Sequence, residues 1–136
     1  MSDRCFIDTN IFIYAFSKTE IEKQKQAKFV IDTNDCFTST HALGEYSNIS
    51  IKKLHLSSEQ ISNDVNDIIG KCALAEIGLE TVQHALDLHE RYKYSYFDSL
   101  MLASALECEC NIIYSEDMKD GQIIDKSLII RNPFSD

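Results

Sequence analysis

Short apolar runs alternate along this chain with longer stretches of helical periodicity, and that alternation limits the fold more than any other feature. Cys5-Phe6-Ile7 is a brief apolar run that stops at Asp8-Thr9-Asn10. It reads as a buried strand running into a short helix through Ile11, Phe12, Tyr14, Ala15 and Phe16. Thr19-Glu20-Ile21-Glu22 has the form of a capping box, opening a helix whose Ile21, Ala27, Val30 and Ile31 face inward. Cys36-Phe37-Thr38 is a second strand, after which Thr40 caps a helix carrying Leu43, Tyr46, Ile49 and Leu54. Ser57-Ser58-Glu59-Gln60 is a further capping box, leading into Ile61, Val65, Ile68 and Ile69. Ala73–Ile77 reads as a strand, and Leu79–Tyr92 as an amphipathic helix through Leu79, Val82, Leu86 and Leu88 or His89. Phe97–Leu106 is apolar nearly all round, which predicts a central buried helix. Asn111–Tyr114 and Ser127–Ile130 are the last strands. Strands alternating with helices imply parallel pairing, so the expected fold class is α/β, a three-layer α/β/α sandwich around a central parallel sheet.

Four acids interrupt this pattern at the edges of segments that should be buried. Asp8 follows the first strand, Asp98 opens the all-apolar helix, and Asp117 follows Ile112-Ile113-Tyr114. Glu45 stands among Leu43, Gly44 and Tyr46, with Asn48 one turn later. A carboxylate resists burial unless it is paired, hydrogen-bonded or bound to metal, so the four are candidates for one site. An all-oxygen cluster suits a hard cation such as Mg²⁺ or Mn²⁺. In parallel sheets such a site belongs at the carboxyl ends of the strands, where Asp8 and Asp117 fall. Each acid also has a purely structural reading. Asp8 can be an N-cap, and Glu45 a solvated helix residue. Asp98 can be the N3 acid of the box Ser95-Tyr96-Phe97-Asp98. Asp117 can be part of the turn Ser115–Gly121. Spacing alone does not decide which of Glu116, Asp117 and Asp120 points into the site.

The tetrapeptide Ile-Asp-Thr-Asn occurs at 7–10 and again at 31–34. The second copy ends a lysine-rich amphipathic stretch, so Asp32 serves as an internal control for Asp8.

With 136 residues, 44% hydrophobic and 26% charged, the chain reads as a single domain over 1–136 with a sizeable core. Its net charge of −9 lacks the basic footprint of most nucleic-acid binders. A metal-dependent nuclease, however, must gather acids and can take its phosphate contacts from a few lysines and the metal. Five cysteines without zinc or knottin spacing read as free thiols in a reducing cytosol. No leader or membrane span is expected, so the localisation expected is cytoplasmic. His84 and His89 share no face suited to a metal pair, His41 and His55 are isolated, and no nucleophile turn announces a triad. Asn48-Ile49-Ser50 matches a glycosylation sequon by chance.

Four ordered stretches together resemble the PIN-domain nucleases, in particular VapC-type toxins of bacterial toxin–antitoxin pairs. They are Phe6–Tyr14, Leu43–Asn48, Tyr96–Leu106 and Tyr114–Gly121. The resemblance implies an α/β/α sandwich and a Mg²⁺- or Mn²⁺-dependent endoribonuclease acting on RNA. It carries Asp8 and Asp98 onto the core metal ligands, Glu45 onto the third acid, and Asp117 onto the acid after the late strand. Asn10 and Ser115 match supporting polar residues, and Asn48 joins Glu45 on its face. It also implies a homodimer silenced by a cognate antitoxin, with Phe12, Phe16 and Phe29 as candidate partner surface, although the simpler reading of the three is core. Two other functions remain open: a catalytically silent PIN-like binding module, and a haloacid-dehalogenase-type phosphatase. The latter would want Asp-x-Asp where this chain has Asp8-Thr9-Asn10.

Overall fold

In the computed structural model, residues 3–135 are described. They form a six-stranded sheet and its helices, beginning with β1 (Arg4–Ile7) followed by α1 (Thr9–Ala15) and α2 (Ile21–Thr33), then β2 (Asp35–Ser39) with α3 (Thr40–Lys52) and α4 (Ser58–Lys71). There follow β3 (Cys72–Ala75), α5 (Leu79–Tyr92), α6 (Tyr96–Glu107), β4 (Ile112–Tyr114), β5 (Ile123–Ile124) and β6 (Leu128–Arg131). The strand order is β3-β2-β1-β4-β6-β5. All pairs are parallel except β5 with β6. Helices cover both faces, as the α/β alternation predicts, and the result is the three-layer α/β/α sandwich.

The period-two geometry of a strand divides the core. Phe6 and Ile113 point to one face, where they pack with Leu88 of α5 and Leu100, Met101 and Leu102 of α6. Cys5 and Ile7 point to the other, against Ile11 and Phe12 of α1 and Ala27, Val30 and Ile31 of α2. α6 is the most enclosed helix: every residue from Ser99 to Ala105 is buried. That is the outcome expected of a segment with no polar stripe.

Several local expectations shift. α2 is entered through Ser17, whose Oγ accepts from the amides of Thr19 and Glu20, so Thr19 does not cap it. Glu20 stands at the N-cap position without a side-chain cap bond. α3 is capped by Ser39, one residue before the expected Thr40, through the Ala42 amide. Ser57 caps α4 through the Gln60 amide, as the motif predicts. Ile21, Leu54, Ile69, Leu79 and Leu86 are exposed; α5 instead buries Thr81, Ala85 and Leu88. The i, i+3, i+4 pattern on α5 supports both stripes, and packing against α6 favoured the one with smaller side chains. The strand expected at 73–77 lies at Cys72–Ala75, and the two-residue β5 had no apolar run long enough to announce it.

The burial difference is testable. Leu102→Ala, which empties a fully buried position, should lower unfolding free energy by about 2–5 kcal/mol. Leu86→Ala, half exposed on α5, should change it by less than about 0.5 kcal/mol. Urea titrations followed by circular dichroism measure both.

Candidate active site

β1 is the point where the order of the sheet reverses: its neighbours are β2 on one side and β4 on the other. Connections leaving adjacent strands in opposite directions open a crevice at their carboxyl ends. Asp8 leaves β1 at that edge, and its amide donates to the Tyr114 carbonyl at the end of β4 at 3.1 Å. Three residues beyond Tyr114 comes Asp117. The first turn of α6 brings Asp98 to the same place. One carboxylate oxygen from each of Asp8, Asp98 and Asp117 lies within 4.8 Å of the other two.

The cap and cluster readings of Asp8 are both correct in geometry. Its Oδ1 accepts from the Thr9 amide at 2.7 Å, capping α1, while Oδ2 accepts from the Ser115 hydroxyl at 2.8 Å. The same Ser115 Oγ accepts from the Asp117 amide at 3.3 Å, so one side chain ties the ends of β1 and β4 together. Asn10 donates to Asp117 Oδ2 at 2.7 Å. At α6, Ser95 accepts from the Asp98 amide at 3.1 Å. Ser95 thus fixes the backbone of the first turn, and the Asp98 carboxylate faces its fellow acids. The helix dipole favours negative charge there.

Glu45 stands at the edge of this group and outside the three-carboxylate cluster. Its Oε1 accepts from the Thr9 hydroxyl at 2.8 Å and lies 3.7 Å from His41 Nε2. Asn48 is exposed and makes no side-chain hydrogen bond among the described residues. The open choice within the last loop resolves geometrically. Glu116 turns away to Tyr14 at 3.0 Å and Lys23 at 2.7 Å, and Asp120 accepts from the Asn132 amide at 2.9 Å. Asp32, the control, is exposed and paired with Lys71 at 2.9 Å.

Crowding leaves a clear electrostatic signature. Burial raises the Asp8 carboxyl to about 7, against the pull of Ser115 and Thr9 and with help from Asp98 and Asp117. Asp98 is raised by burial and then by the Asp117 charge, with a smaller contribution from Glu45. Asp117 is raised by partial burial of its carboxyl and then by Glu116 and Glu45. No lysine or arginine figures among the groups acting on these three acids. Oxygen donors of like charge, converging without a protein cation, fit a divalent ion of the Mg²⁺ or Mn²⁺ type. Asp8, Asp98 and Asp117 are the residues placed to hold it.

Sequence reasoning missed Thr9, His41, Tyr14 and Lys23. Thr9 lay in plain view between Asp8 and Asn10, and His41 sits one helical turn before Glu45. Lys23 reaches Glu116 only through the packing of α2 beside the last loop, which nothing in the spacing announces.

An α/β/α sandwich with acids gathered at the switch point of a parallel sheet defines a class of acidic-site α/β proteins. The chain belongs to the PIN-domain family, whose model matches residues 5–119. The match sets aside the phosphatase alternative. The fold is similar to a chain in a toxin–antitoxin complex from Klebsiella pneumoniae (TM-score 0.72, 18% identity, covering 96% of this chain and 98% of that one). It is also similar to the sarcin–ricin-loop-cleaving toxin VapC20 of Mycobacterium tuberculosis (0.67, 16%, 83% and 89%). A third similar chain belongs to VapBC2 from Rickettsia felis bound to a promoter DNA fragment (0.68, 17%, 95% and 98%). No curated protein matches the sequence.

Two outcomes follow from the charge. An acid whose folded-state pKa lies above its unfolded value stabilises the fold only while protonated. In EDTA the chain should therefore lose stability as pH rises from about 4 through 7, the interval between the ordinary value of 3.8 and the raised value of Asp8. Asp8→Asn should flatten that slope in urea midpoints measured across the range. Adding Mn²⁺ at pH 7.5 should raise the melting temperature of the wild-type chain, since a ligand bound only by the folded state stabilises it. The increase should be much smaller in Asp8→Asn, as read by differential scanning fluorimetry.

Proposed function

We propose that the chain is a Mg²⁺- or Mn²⁺-dependent endoribonuclease and the toxin of a toxin–antitoxin pair, with residues 1–136 acting as one PIN-like domain. The observation that carries this reading is the convergence of Asp8, Asp98 and Asp117 within 4.8 Å at the switch point of the sheet. Membership of the PIN-domain family supports it. So does the fold shared with a chain of a toxin–antitoxin complex and with a sarcin–ricin-loop-cleaving toxin.

In this mechanism Asp8, Asp98 and Asp117 would hold the metal. When bound, the ion lowers the pKa of a water and offsets charge developing on the phosphate oxygens. The chain's own residues supply the order. Thr9 and Ser115 fix both oxygens of Asp8, so that carboxylate does not need to reorganise on binding. Asn10 sets the rotation of Asp117. Glu45, fixed by Thr9 at the margin of the cluster, takes the proton of the attacking water. Attack on phosphorus is in line; the bond to the 3′ oxygen breaks, and the products carry 5′-phosphate and 3′-hydroxyl ends.

The proposed partners are RNA as substrate, a cognate antitoxin, and a second copy of the chain in a homodimer. An apolar groove of about 290 Å³ between α1, α2 and α4, lined in part by Phe12, Phe16, Ile31 and Ile68, suits an antitoxin segment. Phe12 is buried in its floor and Phe16 half-buried on its wall, whereas Phe29 is exposed on a separate patch beside Pro133. No described helix is long and apolar enough to cross a membrane; the proposed setting is the cytoplasm.

The deciding experiment incubates purified chain with total bacterial RNA and Mn²⁺. The wild type and Asp32→Asn should cleave alike, and EDTA should abolish cleavage. Asp98→Asn should lose activity by roughly 10²-fold or more, the scale of a missing charge-stabilising group. Ser115→Ala, which frees both Asp8 and the Asp117 amide, should lose roughly tenfold through weaker metal binding. RNA binding without turnover in the wild type would identify the silent binding module instead.

A further inference from the structure

Phe97 contradicts its neighbourhood. It immediately precedes Asp98 and a run of seven buried residues, Ser99–Ala105, yet it is 54% exposed. Its ring is not free to wander. It stacks on the His41 imidazole, with centroids 4.9 Å apart and planes 12° from parallel. Tyr96 meets it edge-on at 5.3 Å. These contacts hold the ring in place and still leave more than half of the side chain open to solvent.

The position of the pair is the second observation. Phe97 lies in the first turn of α6 and His41 in the first turn of α3; these helices also carry Asp98 and Glu45. His41 Nε2 lies 3.7 Å from Glu45 Oε1 and has no hydrogen-bond partner among the described residues. Glu45 in turn accepts from Thr9, the neighbour of Asp8. The stacked pair therefore forms part of the rim of the acidic cluster.

The third observation is charge. A chain of net charge −9 holds little attraction for a phosphate backbone. Lys23, beside the loop that carries Asp117, is already paired with Glu116 at 2.7 Å. Beyond a metal ion and a few lysines, contacts that do not depend on cations would add to the affinity for a strand at the acids. Aromatic stacking on a base is such a contact, and it requires the base to be unpaired.

We propose that Phe97, backed by His41, is a stacking platform for one unpaired base of the RNA next to the phosphate that is cut. This rests on the ribonuclease reading. Because every base has a π face, the platform selects single-stranded or splayed RNA without reading its sequence. Phe97 acts as a substrate-binding residue and His41 as a positioning residue.

The test uses a short single-stranded RNA carrying 2-aminopurine, whose fluorescence falls when the base stacks. Binding is measured in Ca²⁺, cleavage in Mn²⁺, for the wild type, Phe97→Ala, Phe97→Tyr and His41→Ala. The wild type and Phe97→Tyr should quench the probe, and Phe97→Ala should not. Phe97→Ala should raise KM for the oligonucleotide roughly ten- to a hundredfold, with kcat and Mn²⁺ affinity within about twofold of wild type. His41→Ala should fall between them. Equal quenching by the wild type and Phe97→Ala would overturn the proposal. So would a KM increase accompanied by lost Mn²⁺ binding, or an effect of Phe97→Ala confined to self-association. Quenching by the wild type without any cleavage would support the platform and refute the nuclease reading. Cleavage without quenching would do the reverse.

Discussion

Three carboxylates brought within 4.8 Å of one another repel, and one of them, Asp8, is almost wholly removed from water. The rest of the site can be understood as the means of holding that arrangement. Thr9 and Ser115 give Asp8 a hydrogen bond on each oxygen, yet burial still outweighs them and raises its pKa to about 7. The cluster lies at the carboxyl edge of a parallel sheet, where strand ends and helix N-termini leave amides and hydroxyls available. Ser115 is central because it bonds to both Asp8 and the loop that carries Asp117. A divalent ion held by the three carboxylates would relieve that repulsion.

A carboxylate cluster needs a rigid frame, and α6 provides much of it. The helix is buried from Ser99 to Ala105, wedged between the sheet and α5. Such a helix cannot rotate without exposing apolar surface, so Asp98 at its first turn keeps a fixed direction. Ser95 removes the remaining slack by capping that turn. Fold stability and site geometry therefore share one element, with apolar burial on its body and charge at its end. Phe97 sits at that junction, held against His41 and Tyr96 and half exposed.

The acids of the candidate site were largely legible in the sequence because they also carry local structural signals. Asp8 and Ser95 are helix caps, and Asp117 belongs to a turn; their backbone settings could be read from neighbours alone. What misled was ambiguity at short range. Thr19-Glu20-Ile21-Glu22 and Ser17 both offer a hydroxyl ahead of α2, and the chain path chose Ser17. Leu79 and Leu86 mark a legitimate stripe on α5, but close packing with α6 selected Thr81, Ala85 and Leu88. Glu116, Asp117 and Asp120 are indistinguishable by spacing. Their directions depend on Lys23, Asn10 and Asn132, which are distant in sequence.

By itself the sequence determined the alternation of strands and helices, the parallel three-layer fold that follows, and which acids stand at element ends. These properties depend on periodicity and capping over a few residues, and a linear chain records them directly. Tertiary structure alone decided which of those acids meet, that Glu45 stands beside the cluster and not within it, and that His41 backs Phe97. It also turned the two copies of Ile-Asp-Thr-Asn to different ends: Asp8 is buried among carboxylates, and Asp32 is solvated against Lys71. The reason is physical. The charge, burial and direction of a side chain depend on neighbours that the fold delivers from anywhere in the chain, and identical local sequence carries no information about them.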